Sequence, residues 1–161
     1  MKKMTNAFIP LLLGLALGAC SSIKTPLVIA PEQSINKYLI SVKNLTVNDQ
    51  RQQKALAIIN GDKIPTDDSM LPAISNWLNN SLLVNKNGSN EMTVNLLSYT
   101  TYVTQESMKF SAESVMEWQV QLMSEQRNWS KTYQTSINQD GPLLMDKTLM
   151  EQHLNKMANT L

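Results

Sequence analysis

From Met108 to Leu122 the even positions read Met, Phe, Ala, Ser, Met, Trp, Val, Leu, while the odd positions from Lys109 to Gln121 are polar except Val115. A period of two over that length is the pattern of a long strand with one dry and one wet face. Such a strand needs a second layer over its dry face. The rest of the chain has to supply that layer, and two segments qualify. Leu71, Ile74, Leu78 and Leu82 recur at helical spacing, after Asp68 or Ser69 as a cap and with Pro72 in the first turn. Met150, Leu154, Met157 and Leu161 form a second stripe on a helix from about Asp146.

Further strands flank the long one. Tyr38, Ile40 and Val42 alternate with Leu39, Ser41 and Lys43. Met92 to Val103 is rich in strand formers, with Val94, Leu96, Thr100 and Tyr102 in one register. Glu125 to Asn128 can turn the chain, and Trp129, Tyr133 and Ile137 then share one face of a fourth strand that Gly141-Pro142 breaks. Ala55 to Asn60, in the middle of a polar stretch from Asn48 to Asp68, fits either a short strand or a short helix, and Gly61 and Pro65 punctuate that stretch. Asn87-Gly88 ends the first helix. The expected fold is α+β, a two-layer sandwich of order β-α-β-β-β-α. A four-stranded, mainly antiparallel sheet carries two helices packed on one face. With 161 residues and 42% hydrophobic content, one domain with one modest core is expected, over residues 37–161.

Residues 1–19 read as a processing segment rather than fold. Lys2 and Lys3 form a positive start, and Ala7 to Ala19 is apolar but shorter than the roughly 20 residues a spanning helix needs. The segment ends Leu17-Gly18-Ala19-Cys20, which resembles the lipobox of bacterial lipoproteins. That resemblance implies removal of residues 1–19 and covalent lipid on Cys20, hence a membrane partner through the anchor. Each buried methylene contributes about 0.8 kcal/mol, so two or three chains hold a protein stably. In the enterobacterial sorting pattern of that class, serine at the next position, here Ser21, does not retain the protein at the inner membrane. The implied address is the inner leaflet of the outer membrane, facing the periplasm. Residues 20–36, with Pro26 and Pro31, read as the lipidated cysteine and its tether, with a reach of at most about 50 Å at roughly 3.3 Å per residue. Within it, residues 27–30 fit an edge strand as well as a spacer.

The lipobox, a strand ending in "VKNLTVNDQR", a helix, the "MTVNLLSYTTYV" strand, a strand reaching "RNWSKTYQTSI" and a last helix together resemble the YajG-like family of uncharacterised Gram-negative lipoproteins. The same order is similar to the lipoprotein subunit of the lipopolysaccharide export pore and to auxiliary lipoproteins of ABC-type lipid transport. That is likeness of fold rather than of site.

The residue inventory is poor in chemistry. Without Lys2 and Lys3, the 14 basic residues fall to 12 against 13 acidic ones, so no basic footprint for nucleic acid is expected. Cys20 is the sole cysteine and His153 the sole histidine, so no zinc cluster is expected. His153 sits beside Leu154 on the last helix and reads as a helix-flank histidine rather than a general base. Asp67 and Asp68 read as cap and dipole partners, not as a metal site. No Gly-rich phosphate loop, HExxH or Gly-x-Ser-x-Gly elbow occurs. The expectation is no catalytic residue, no metal and no cofactor beyond the lipid on Cys20.

Two features fit a partner contact. Asp49-Gln50-Arg51 follows the first strand, where an Asp can bond backbone amides two residues on and an Arg can grip a carboxylate. A turn clamp and a contact patch both fit. Trp77 lies one position off the Leu71/Leu78 stripe, at the core margin or exposed. The expected role is a non-enzymatic interaction or assembly module of the cell envelope with a protein partner. A module binding lipid or peptidoglycan fragments is the alternative, and a large apolar cavity between helices and sheet would favour it. Cys20→Ala should abolish incorporation of labelled fatty acid and leave the chain unprocessed. Ser21→Asp should move it from outer- to inner-membrane fractions in an enterobacterial host. Wild-type protein recovered as a soluble species with a free thiol would contradict the lipobox reading.

Overall fold

The computed structural model describes residues 26–29, 31, 38–64, 68–84, 87–142 and 146–159. Residues 1–19, Cys20, Ser21, Asp67 and Leu161 lie outside the described residues. Among the described residues, seven strands form one mixed sheet: β1 (Tyr38–Asp49), β2 (Ala57–Ile59), β3 (Asp62–Ile64), β4 (Leu82–Val84), β5 (Asn90–Gln105), β6 (Lys109–Met123) and β7 (Asn128–Pro142). Helices α1 (Met70–Ser81) and α2 (Lys147–Ala158) complete the order β-β-β-α-β-β-β-β-α. The expected four-stranded, mainly antiparallel sheet of order β-α-β-β-β-α is therefore corrected. The three long antiparallel strands β5, β6 and β7 form a meander. Parallel pairing of β1 with β4, and of β1 and β2 with β5, extends it.

β5 is the hub of the sheet. One of its edges holds β6 throughout. The other is shared end to end: β1 pairs with Asn90–Leu96, and β2 with Thr101–Val103. β2 turns into β3 through Asn60-Gly61, both at positive φ (49° and 95°). A two-residue loop with both residues left-handed is the hairpin turn that matches strand twist. Asn60 also ties down the end of β5, accepting from Gln105 N at 2.8 Å and donating to Gln105 O at 3.0 Å.

β5 is not one regular strand. Leu96 faces Trp118 and Ser98 faces Glu117, so Leu97 is an extra residue. A bulge of this kind switches which residues face inward. Met92, Val94 and Leu96 are buried before it, and Tyr99, Thr101 and Val103 after it. The expectation of a single register through Tyr102 fails for this reason, and Tyr102 is 49% exposed. β6 keeps its register: Phe110, Ala112, Ser114, Met116 and Trp118 are all buried.

β7 runs through Gly141 to Pro142 instead of breaking there. Gly141 lies opposite Phe110, and a Cβ on it would sit 2.6 Å from the Phe110 ring, so glycine is what lets the aromatic fill that place. α1 ends at Ser81, earlier than expected, and Leu82–Val84 continues as β4. Its buried residues are Met70, Ile74, Trp77 and Ser81, so the buried face is turned toward Trp77, with Leu71 and Leu78 half-buried. Ser69 stands at its N-cap without a side-chain cap bond. In α2 the Asp146 carboxylate accepts from Leu149 N at 2.8 Å, and Met150, His153, Leu154, Met157 and Ala158 are buried.

Both helices lie on the face shared by Tyr99, Met116 and Trp118. Leu27 and Ile29, which the sequence leaves in the tether or on an edge strand, belong to the core, with Leu27 in an isolated bridge. Val28 between them points outward, and its N–H donates to the Glu151 carboxylate on α2 at 2.9 Å.

Candidate functional site

Two helices of 12 residues are each about 18 Å long, whereas the 15-residue strands β6 and β7 run about 50 Å. The helical layer therefore cannot cover the sheet. α1 packs on β1 and β4, and α2 packs on β6 and β7. α2 reaches the end of β7 near Gln139, where His153 Nδ1 meets Gln139 Oε1 at 2.8 Å. The opposite end of the β6–β7 pair is left open. There a groove of about 500 Å³ lies between α1 and the sheet.

Val94, Trp118, Val120 and Leu122 form its floor, Trp77 and Leu78 its α1 wall, and Trp129 and Tyr133 its β7 rim. All three tryptophans of the chain line it. Register explains the assembly: Trp118 faces Tyr133 and Leu122 faces Trp129 across the β6–β7 ladder, so all four side chains share the helix-side face. Trp129 and Tyr133 are 44% and 42% exposed, with ring centroids 6.5 Å apart, and Lys131 Nζ lies 4.8 Å from the Tyr133 ring centre. A second hollow of about 600 Å³ lies at the β5–β6 hairpin among Thr104, Glu106, Lys109 and Asp140. Its lining mixes these groups with Met108 and Phe110, and an exposed Lys109–Glu106 pair at 3.2 Å stands at it.

Trp77 is thus a buried groove residue. The other candidate contacts lie elsewhere. Between the ends of β1 and β2 the chain leaves β5, and Asp49-Gln50-Arg51 stands in that gap. Gln50 is exposed, and its N–H donates to Leu96 O at 2.9 Å. Arg51 Nε and Nη2 donate to the two Asp49 carboxylate oxygens at 2.9 and 3.0 Å, and Arg51 N donates to Oδ1 at 3.1 Å. Arg51 Nη1 reaches Tyr99 O at 3.3 Å. The Arg51 side chain is 2% exposed, so its donors face inward. The outer cation is Lys54, whose ammonium lies 3.1 Å from Asp49 Oδ1. Partial burial pushes the Asp49 carboxyl up, but the hydrogen bonds from Arg51 and Lys54 outweigh it and hold the group at about 2. This arrangement is internal, and it is the geometry of a clamp.

His153 is buried. With Gln139 Oε1 accepting, Nδ1 carries the proton, and Nε2 has no partner among the described residues. Burial pushes its pKa down and nearby Lys156 adds to this, against the smaller pull of the Ile137 backbone. Among the described residues, no group of three or more His, Cys, Asp or Glu is placed to hold a metal.

The fold and the groove define a small α+β domain with an open apolar site. Its sequence places that domain in a class. The chain matches the family model described as "Uncharacterized lipoprotein" over residues 29–161 and belongs to that family, the YajG-like lipoproteins. It is accordingly a membrane-anchored envelope protein. No curated protein matches it. Among solved structures it is similar to protein XCC0632 of Xanthomonas campestris, of family DUF330. That match has 12% identity over 83% of this chain and 88% of that one, with a TM-score of 0.45. A second crystal structure, of an uncharacterized protein, is 12% identical over 80% of this chain and 94% of that one, with a TM-score of 0.42.

His153 generates a pH prediction. Its folded pKa lies below the ordinary histidine value of 6.5, so the unfolded chain takes up a proton that the folded chain refuses. Stability from this group is complete above about 6.5 and is lost as pH falls below it. Asp49 acts in a separate window, below the ordinary carboxylate value of 3.8 and down to about 2. Denaturant unfolding between pH 7 and pH 5 should show stability falling with pH, and His153→Gln should flatten that slope. An unchanged slope in the variant would refute the assignment.

Proposed function

We propose that this lipoprotein is a non-enzymatic binding module, held by lipid on Cys20 at the inner leaflet of the outer membrane and facing the periplasm. Its groove takes the acyl portion of a lipid. The observation that carries this reading is the open groove itself. Contiguous apolar surface on a soluble domain marks a binding site, and here the site contains every tryptophan of the chain. The polar groups of its lining residues are few: Ser81, Gln134, Thr135, the Tyr133 hydroxyl and the three indole N–H groups, of which Trp118 Nε1 is buried without a partner among the described residues. A peptidoglycan fragment, rich in hydroxyl and amide groups, would need more partners than these. An acyl chain needs none along its length. The rim has the chemistry of a membrane interface, with Trp129 and Tyr133 beside the cation of Lys131.

The anchor is close by. Leu27 is fixed in the core, and seven chain steps from Cys20 to Leu27 span at most about 25 Å, which keeps the domain at the lipid surface. The inventory supports a role without catalysis, since the one histidine is buried and bonded to a glutamine. No cofactor beyond the covalent lipid and no nucleic-acid partner is part of this reading.

Tryptophan fluorescence reports on the groove directly. A soluble chain starting at Ser21 should show saturable quenching by a short-chain phospholipid brominated on its acyl chain, and Leu122→Arg should weaken that quenching several-fold. Absence of saturable quenching, or quenching indifferent to Leu122→Arg, would overturn the acyl-chain reading.

A further inference from the structure

We propose that β7 is a self-pairing edge. Two copies of this chain on one membrane join antiparallel along β7, about a two-fold axis through Tyr133. The proposal does not depend on what fills the groove. It starts from backbone chemistry. β7 spans 15 residues, its ladder with β6 is unbroken from Asn128 to Pro142, and β6 is its only strand partner among the described residues. Among the described residues, its other edge therefore presents a row of backbone donors and acceptors without a strand partner. Natural edges are guarded by shortness, bulges, prolines or charges. β7 has no bulge against β6, a proline only at its last residue, and two charged residues, Lys131 and Asp140. The other edge strands, β3 and β4, are three residues long.

The sequence of β7 is self-complementary. Its apolar residues on the helix-side face are Trp129, Tyr133 and Ile137, spaced symmetrically about Tyr133. With Tyr133 opposite Tyr133 of a second copy, Trp129 meets Ile137 and Lys131 meets Thr135. On the other face Ser130 meets Ser136 and Thr132 meets Gln134. Apolar residues meet apolar ones, polar meet polar, and no like charges are opposed, which is what cross-strand pairs require. Moving the axis by one residue sets Lys131 opposite Tyr133 or Ile137. Moving it two residues toward the C-terminus sets Trp129 opposite Gly141, and two residues the other way opposes the two lysines. An isologous interface needs one patch that matches itself, and this register supplies it.

The helical layer fits the same symmetry. α2 covers the end of β7 near Gln139 and leaves the Asn128–Tyr133 end open. Antiparallel pairing sets the open end of one copy beside the α2-covered end of the other. The pairing covers Trp129 and Tyr133, which are 44% and 42% exposed in the single chain. Confinement to one membrane raises the effective concentration of copies without any new contact.

Disulfide trapping of the full lipidated chain in its own membrane tests the register. Directly opposed residues have Cβ atoms about 4.5–5.5 Å apart, within reach of a disulfide. Tyr133→Cys should give a disulfide-linked dimer. Ser130→Cys alone should give little, and Ser130→Cys combined with Ser136→Cys should restore it, because the two positions in one chain are about 20 Å apart. Added to the Ser130→Cys, Ser136→Cys pair, Tyr133→Lys opposes two lysines and should abolish crosslinked dimer while leaving the thermal midpoint near that of the parent pair. A Tyr133→Cys chain that stays monomeric, or links to a different envelope protein, would overturn the proposal. So would Ser130→Cys alone dimerising as readily as Tyr133→Cys, or a dimer that survives Tyr133→Lys.

Discussion

Arg51 stands where β5 loses its neighbour. β1 leaves the edge of β5 after Asp49 and β2 joins it at Thr101, so the β5 backbone between them has no strand partner on that side. Buried carbonyls left without donors are costly. Gln50 N covers Leu96 O, Arg51 Nη1 covers Tyr99 O, and Thr101 N and the Thr100 hydroxyl turn to the carbonyls of Leu56 and Ala55. The guanidinium substitutes for the missing strand. It can be buried there because Asp49, two residues away, takes up its remaining charge and geometry through two parallel bonds.

That junction coincides with the bulge at Leu97, and the coincidence shapes the other layer. The bulge turns Tyr99 inward, onto the face where α2 packs. There its hydroxyl donates to Leu154 O at 2.9 Å, tying the helix to the hub strand. Burial pushes the Tyr99 phenol above its ordinary value, so it stays a neutral donor. With α2 fixed over that end of the sheet and α1 on β1 and β4, the far end of β6 and β7 is left bare. The groove is therefore a consequence of where the helices are held. The residues that create it, Arg51 and Tyr99, do not line it.

Periods that run for many residues are legible in the sequence. The dry face of β6, the existence of β7 and the stripe of α2 all come from alternation or helical spacing. Short elements are not legible. β2, β3 and β4 have three residues each, too few to show a period, although Asn60-Gly61 between Ile58-Ile59 and Lys63-Ile64 is a hairpin signal. The bulge hides the inward turn of Tyr99, because a strand read with a single register assigns Tyr102 to the core. Parallel pairing is invisible as well, since partners distant in sequence leave no local mark. The groove has a readable precursor: a dry face on Trp129, Tyr133 and Ile137, with only two short helices to cover it. Trp77, the tryptophan that stands out by its place beside the helical stripe, is one of its walls, whereas Asp49 and Arg51 face inward at the junction.

The clamp at the junction supports the rest of the fold, and one arginine and one lysine substitution separate it from an ordinary surface pair. Both Arg51 and Lys54 touch Asp49, but only Arg51 is buried and reaches the β5 backbone. Removing one member of a buried pair typically costs about 3–5 kcal/mol, whereas a surface substitution usually stays within about 0.5 kcal/mol. The deciding measurement is the unfolding free energy of Arg51→Ala and Lys54→Ala by denaturant titration at neutral pH. A large loss for Arg51→Ala with Lys54→Ala near wild type is the predicted result. Equal, small losses for both would contradict a fold built around this clamp.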